Sequence, residues 1–215
     1  MLRSKSSNDM PGMIGRKIGM TQIFDDDGFA VGVTVLEVGP CPVVQVKTVE
    51  HDGYDAVQLG FGRVKNASVR KPKAGHAARA GLDYVPEILA EFNFDGEEVE
   101  LGQEITVEMF EVGSKVSISG LTKGRGFQGV VKRHGFGGGR ASHGGKSVLR
   151  SPGSIGAGTD PSRVIKGLKM SGRMGGTKRT DRNCKIINVD VEKNLLMIRG
   201  SVPGARHNIV IVRSG

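Results

Sequence analysis

Between residues 121 and 183 the chain carries a series of cationic side chains with almost nothing of opposite sign beside them. Lys123, Arg125, Lys132, Arg133, Arg140, Lys146 and Arg150 follow one another at intervals of seven residues or fewer. Arg163, Lys166, Lys169, Arg173, Lys178, Arg179 and Arg182 continue the series, and His134 and His143 lie among them. The stretch holds 14 Lys or Arg against two acids, Asp160 and Asp181, whereas the rest of the 215-residue chain holds 17 basic and 20 acidic groups. The formal charge of +9 is therefore supplied by this one segment. A solvated protein face usually mixes signs, so a cationic run this poor in acids suits a polyanion better. Arg presents a planar fork to two phosphate oxygens and Lys a compact point charge, so phosphate neutralisation is the chemistry these residue types serve.

Catalytic and metal chemistries fit less well. Gly124-Arg125-Gly126-Phe127-Gln128-Gly129 matches the G-x-G-x-x-G dinucleotide pattern, but that fingerprint needs a following helix and an acid about 20 residues on. No helix is expected over 130–145, and no acid appears before Asp160. Asp25-Asp26-Asp27-Gly28 sets its carboxylates side by side rather than alternately, and the twelfth position from Asp25 is Leu36, not the Glu of a calcium loop. Asp27-Gly28 between Phe24 and Phe29 reads instead as a hairpin turn. His51, His76, His134, His143 and His207 show no metal-helix spacing, and Ser142, His143 and Ser147 lack a G-x-S-x-G elbow. Cys41 and Cys184 form no C-x-x-C pair and are expected to be free buried thiols in a reducing compartment. No cofactor, metal or small-molecule substrate is implied.

The elements that must carry the cationic run are mostly strands. Apolar and β-branched residues recur over 29–38, 43–48 and 54–61, and alternate with polar ones over 104–110, at 116–119 and at 187–191. Residues 195–199 and 209–213 complete the set. Many short strands with Gly and Asp turns predict a mainly β fold, an antiparallel barrel or sandwich. One short helix is predicted over 71–80, with Pro72 in its first turn and Gly81 closing it. The cationic segment has neither strand nor helix period and holds 16 of the 34 glycines. It cannot bury enough apolar surface to offset its own ordering, so it reads as a long, basic, Gly-rich, non-globular insertion that orders against a partner. The expected division is a flexible tail over 1–12, a β domain from 13–120 and 184–215, and an insertion over 121–183.

The partner is expected to be nucleic acid. No apolar stretch is long enough for a membrane span, and residues 1–12 lack the apolar run of a secretory signal. Phe127 and Phe136 are the only aromatics of the segment, which disfavours base stacking and favours threading between phosphates of folded RNA. Gly124, Gly126, Gly129, Gly153 and Gly156 are expected where backbone approaches backbone closely. A nucleic-acid-processing enzyme would need an acidic cluster, and Asp160 and Asp181 do not make one. A DNA architectural protein is the other alternative, to be separated by competition between duplex DNA and RNA.

Several blocks carry a more specific likeness. Residues 13–21 (MIGRKIGMT), 123–133 (KGRGFQGVVKR), 152–156 (PGSIG), 169–175 (KMSGRMG) and 200–204 (GSVPG) resemble, in this order, the universal large-subunit ribosomal protein numbered three, of bacterial type. The likeness runs from about residue 13 to residue 212. It implies a β-barrel domain on the subunit surface and an extension entering large-subunit rRNA, over about 121–183. The apex, near 151–161, would approach the peptidyl transferase centre. It further implies early binding near the 3′ end of that rRNA, neighbouring large-subunit proteins as partners, a cytoplasmic, ribosomal location and no catalysis. Some relatives carry a methylated Gln after the Gly-Ser-Ile-Gly block; here the sequence is Ala157-Gly158-Thr159, so that modification is expected to be absent.

Overall fold

The computed structural model describes residues 11–25, 27–65, 69–94 and 99–215. The first ten residues of the expected tail lie outside these. Gly12 already begins a strand, β1 (Gly12–Phe24). Then come β2 (Ala30–Val38), β3 (Cys41–Lys47), a short α1 (Val49–Asp52), β4 (Ala56–Phe61), α2 (Lys71–Arg79) and β5 (Ile88–Phe92). They are followed by β6 (Glu104–Ile105), β7 (Lys115–Leu121), β8 (Phe127–Gln128), α3 (Val130–His134), β9 (Gly172–Arg173), β10 (Lys178–Asp190), β11 (Leu195–Arg199) and β12 (Ile209–Ser214).

Six strands close a barrel in the order β1-β12-β7-β10-β11-β2, every neighbour antiparallel. The period of two in the sequence explains which side chains turn inward. Val116 and Ile118, Leu196 and Ile198, and Val210 and Val212 are all buried, with Met13, Ile14, Leu36 and Ile186 beside them. Each such side chain contributes about 1.5–3 kcal/mol by leaving water. A second sheet, β5-β4-β3-β6, adds Val43, Val57, Leu59, Phe61 and Phe92 to the same core. Register shifts at Lys17/Gly19, Asp181/Cys184 and Ile186/Asn188 supply the bulges that bend strands round a closed sheet.

The resemblance blocks at 13–21 and 200–204 meet within this unit. Lys17 is buried on β1, and its ammonium donates to the carbonyls of Val202 at 2.7 Å and Gly204 at 3.3 Å. A lysine that reads from sequence as a surface cation is thus an internal brace. Cys41 is buried and Cys184 half-buried, both free; burial pushes the Cys41 thiol up to about 12.

Several expectations need correction. Residues 104–110 form not one strand but the two-residue β6 and a 3-10 turn at Val107–Met109. Val107 and Phe110, three apart, are both buried, the spacing that a 3-10 turn brings to one side. A helix does occur within 130–145, namely α3, because Gly129 precedes it in extended conformation and Gly135 ends it in the left-handed region at φ 75°. β1 and β5 were not among the expected strands. Glycines and cations mask the pattern of β1, and only Phe92 of β5 is fully buried. β10 begins at Lys178, earlier than the apolar alternation suggests, because its first residues are polar on both faces.

Candidate nucleic-acid interface

The chain divides into two compact units. One comprises the described residues up to Leu121 together with Lys178–Gly215, and the other is Thr122–Thr177. The division falls between β7 and β10, whose ends, Leu121 and Lys178, are paired residues of one ladder.

The second unit is a backbone construction. Its two ends run together as a ribbon: the Thr122 N–H donates to the Thr177 carbonyl (2.9 Å) and the Gly176 N–H to the Thr122 carbonyl (3.1 Å). Arg125 N–H to Met174 O and Met174 N–H to Gly126 O, both 2.9 Å, continue it to the β8–β9 pairs Phe127↔Arg173 and Gln128↔Gly172. α3 follows, with Lys132, Arg133 and His134 in its last turn, where cations complement the carbonyl end of the helix. Arg133 Nη1 donates to the Met170 carbonyl at 2.8 Å, and Nε2 of His134 donates to the same oxygen at 3.0 Å. Farther along, the Gly139 N–H donates to Leu149 O at 3.0 Å, folding the loop back on itself ahead of a 3-10 turn at Lys146–Val148.

This packing requires glycine at particular points. A Cβ on Gly138, whose φ is 74°, would run into the Leu149 carbonyl oxygen, and one on Gly139 would meet Val148 O at 2.8 Å. Gly145 and Gly175 likewise abut the carbonyls of Arg140 and Lys123. At Gly124, Gly126, Gly129 and Gly153 an added Cβ meets nothing within 4 Å, and at Gly156 only Arg163 O at 3.9 Å. The sequence signal was the same, a glycine in a cationic run; which of them touches backbone depends on how the loop folds back.

The unit presents its charge outward. A single residue of Thr122–Thr177, Val130, is buried. Eleven Lys or Arg lie there against Asp160 alone. Lys123 and Arg125 lie on the outgoing arm of the ribbon, and Arg173 on β9 of the returning arm. Arg140, His143 and Arg150 are exposed in and around the folded-back loop with Lys146, and Arg163, Lys166 and Lys169 in the stretch before β9. Among the described residues no ion pair involves a side chain of Thr122–Thr177; the pairs are Arg16–Glu87, Lys47–Glu91 and Arg179–Asp181. Lys178, Arg179 and Arg182 therefore stand apart from the other expected site residues. They lie on β10 in the barrel unit, where Asp181 Oδ1 is 3.0 Å from Arg179 Nε. Arg133 and His134 also differ, each being held half-buried by the Met170 carbonyl.

Among the described residues no group of three or more His, Cys, Asp or Glu could hold a metal ion. No helix among them is long and apolar enough to cross a membrane. What remains is an array of uncompensated cations on a glycine-rich backbone, chemistry suited to phosphate.

Comparison with known proteins gives one consistent answer. Residues 61–194 match the family model described as Ribosomal protein L3. The chain is 53% identical over 202 residues to the large ribosomal subunit protein uL3 of Syntrophus aciditrophicus (strain SB), covering 94% of this chain and 92% of the relative. It is 51% identical over 205 residues to the protein of the same name from Carboxydothermus hydrogenoformans, covering 94% and 96%. Against that of Herpetosiphon aurantiacus it is 47% identical over 203 residues, covering 94% of each.

Proposed function

The chain belongs to the ribosomal protein L3 family, and on that premise we propose that it is a structural constituent of the large ribosomal subunit, working in the cytoplasm on the ribosome. It binds large-subunit rRNA through Thr122–Thr177, joins the particle early near the 3′ end of that rRNA, and extends its 151–161 region toward the peptidyl transferase centre. It is not an enzyme. Neighbouring large-subunit proteins are its other partners.

The observation that carries this reading is the combination of eleven cations, one acid and one buried residue in Thr122–Thr177. Phosphates entering such a surface displace counterions, and the released ions drive binding. Most of the cations lie on a ribbon, a short helix and a loop tied down by backbone hydrogen bonds, with Arg163, Lys166 and Lys169 in the stretch before β9, and this supports a shaped surface for folded RNA.

The test is binding to isolated large-subunit rRNA against equal-length duplex DNA over a salt series. The full chain is compared with one in which Thr122–Thr177 is replaced by a short Gly/Ser linker between Leu121 and Lys178. If six to ten phosphates are neutralised, affinity falls by about 10³–10⁵ between 50 and 200 mM salt, and the slope flattens on replacement. A shallow slope unchanged by the replacement would put recognition on the barrel and refute the proposal. Equal affinity for duplex DNA would favour the architectural-protein alternative.

A further inference from the structure

The barrel unit carries a feature of opposite character. From residue 18 to residue 46 the sequence has no Lys, Arg or His but has Asp25, Asp26, Asp27 and Glu37, in a chain of net charge +9. Within this stretch β1 and β2 form a hairpin that outruns the barrel. β12 accompanies β1 only over Gly12–Arg16, and β11 accompanies β2 only as far back as Val33. From Gln22↔Gly32 through Ile23↔Val31 to Phe24↔Ala30 the two strands pair only with each other. Across the hairpin end, Asp25 Oδ1 accepts from the Phe29 N–H at 2.7 Å, and backbone bonds join Asp25 to Phe29 and Gly28. Phe24 and Phe29, on either side of that end, are 69% and 70% exposed, and Met20 is 56% exposed.

We propose that the tip of the β1–β2 hairpin docks into a neighbouring protein whose surface places Lys or Arg around an apolar pocket, and not onto RNA. Exposed aromatics at the ends of two paired strands are residue types that act as interface anchors, and strands already paired leave less to order on binding. The acids decide the occupant. A phosphate backbone is repelled by Asp25 and Asp27, whereas a basic protein surface is attracted and oriented by them. Phe127, on the cationic unit, shows the opposite pairing of an exposed aromatic with positive charge. A two-stranded ribbon is marginal alone in water, so a partner also stabilises the hairpin. The inference rests on the proposed place of the chain in the large subunit, which supplies protein neighbours.

Photocrosslinking tests it within the assembled particle. The full chain, with Phe29 replaced by p-benzoylphenylalanine, is expressed in cells, large subunits are purified and irradiated, and the adduct is mapped; Leu101 replaced in the same way is the control. The expected result is one protein adduct from position 29, mapped to a peptide containing Lys or Arg and absent from the control. An adduct to rRNA, an adduct to an acidic peptide, or a yield no higher than the control overturns the inference while leaving the subunit assignment standing. Failure of both the replaced and the unreplaced chain to enter large subunits overturns both. As a second arm, Phe24→Ser/Phe29→Ser should leave the affinity and salt slope for isolated rRNA unchanged. Its dissociation from large subunits in a salt wash should be at least about tenfold faster, the loss expected from removing two anchors. Equal retention of variant and parent also refutes the docking role.

Discussion

The two units hold their shapes by different means. In the barrel, side chains from six strands meet in one apolar core, and the backbone ladder is closed on itself. In Thr122–Thr177 only Val130 is buried, and the loop is shaped by main-chain hydrogen bonds, by glycines lying against carbonyls, and by Arg133 and His134 on one oxygen. The barrel draws its stability from removing apolar surface from water, which acts without a partner. The second unit gains little that way, and on the proposed function the phosphates of bound RNA would supply what a core does not. Side-chain volume should therefore matter in one unit and side-chain absence in the other.

The largest effect should come from the barrel core. Ile118→Ala is expected to cost about 2–5 kcal/mol in denaturant unfolding, whereas Val148→Ala, at an exposed position of the second unit, should stay within about 0.5 kcal/mol. Equal losses would break the comparison. Next, Gly138→Val should strain its own unit by about 1–3 kcal/mol, from a positive φ and the Leu149 carbonyl in its way. The thermal unfolding of the barrel should not move, but rRNA affinity should fall about 5- to 150-fold. A matching fall in barrel melting temperature would mean the units are energetically one.

Smaller still is the contrast between two arginines. Arg150→Ala should reduce the salt slope of rRNA binding by about one, the signature of a lost phosphate contact. Arg133→Ala should weaken binding at every salt concentration as well, because the Met170 carbonyl loses a donor that helps hold the returning arm. Identical behaviour of the two variants would show that the internal bond is without consequence. Smallest is a pH effect confined to the barrel. The buried Cys41 thiol, pushed up to about 12 from its ordinary 9.0, keeps its proton in the folded chain after the unfolded chain has lost it. Its contribution to stability is full below pH 9 and is lost as pH rises from 9 toward 12. Denaturant midpoints at pH 8 and pH 10 should differ less in Cys41→Ala than in the parent; an unchanged difference would refute this.

Much of the fold was legible because burial leaves a period. Leu196 and Ile198, or Val210 and Val212, announce strands by alternation, and Pro72 with Gly81 brackets α2. Legibility failed where polar groups go inside or apolar groups change period. Lys17 hides β1 because its charge is met by carbonyls that lie 185 and 187 residues away. The Ile105, Val107, Met109 alternation looks like a strand, yet Phe110 joins Val107 in the core and tightens the chain into a 3-10 turn. For the candidate interface, composition picks out 121–183, since charge needs no geometry to be counted. It did not distinguish Arg133, tied to Met170, from Arg150, exposed, because that depends on residue 170 returning beside α3.

The pairing of Gly12 with Arg213 sets the order of events during synthesis. The first barrel strand cannot complete its ladder until β12 has emerged, nearly the whole described chain later. At about 5–20 residues per second, that is a wait of roughly ten to forty seconds. The cationic unit precedes β10, β11 and β12, so it is in solution before the barrel can close. A nascent chain that stalls before β12 has every cation of Thr122–Thr177 but an open sheet with unpaired edges at β1 and β7. Such a product joins a complete cationic unit to sticky, protease-sensitive strand edges. Unfinished β structure, not the cationic unit, is what would mark such a product as incomplete.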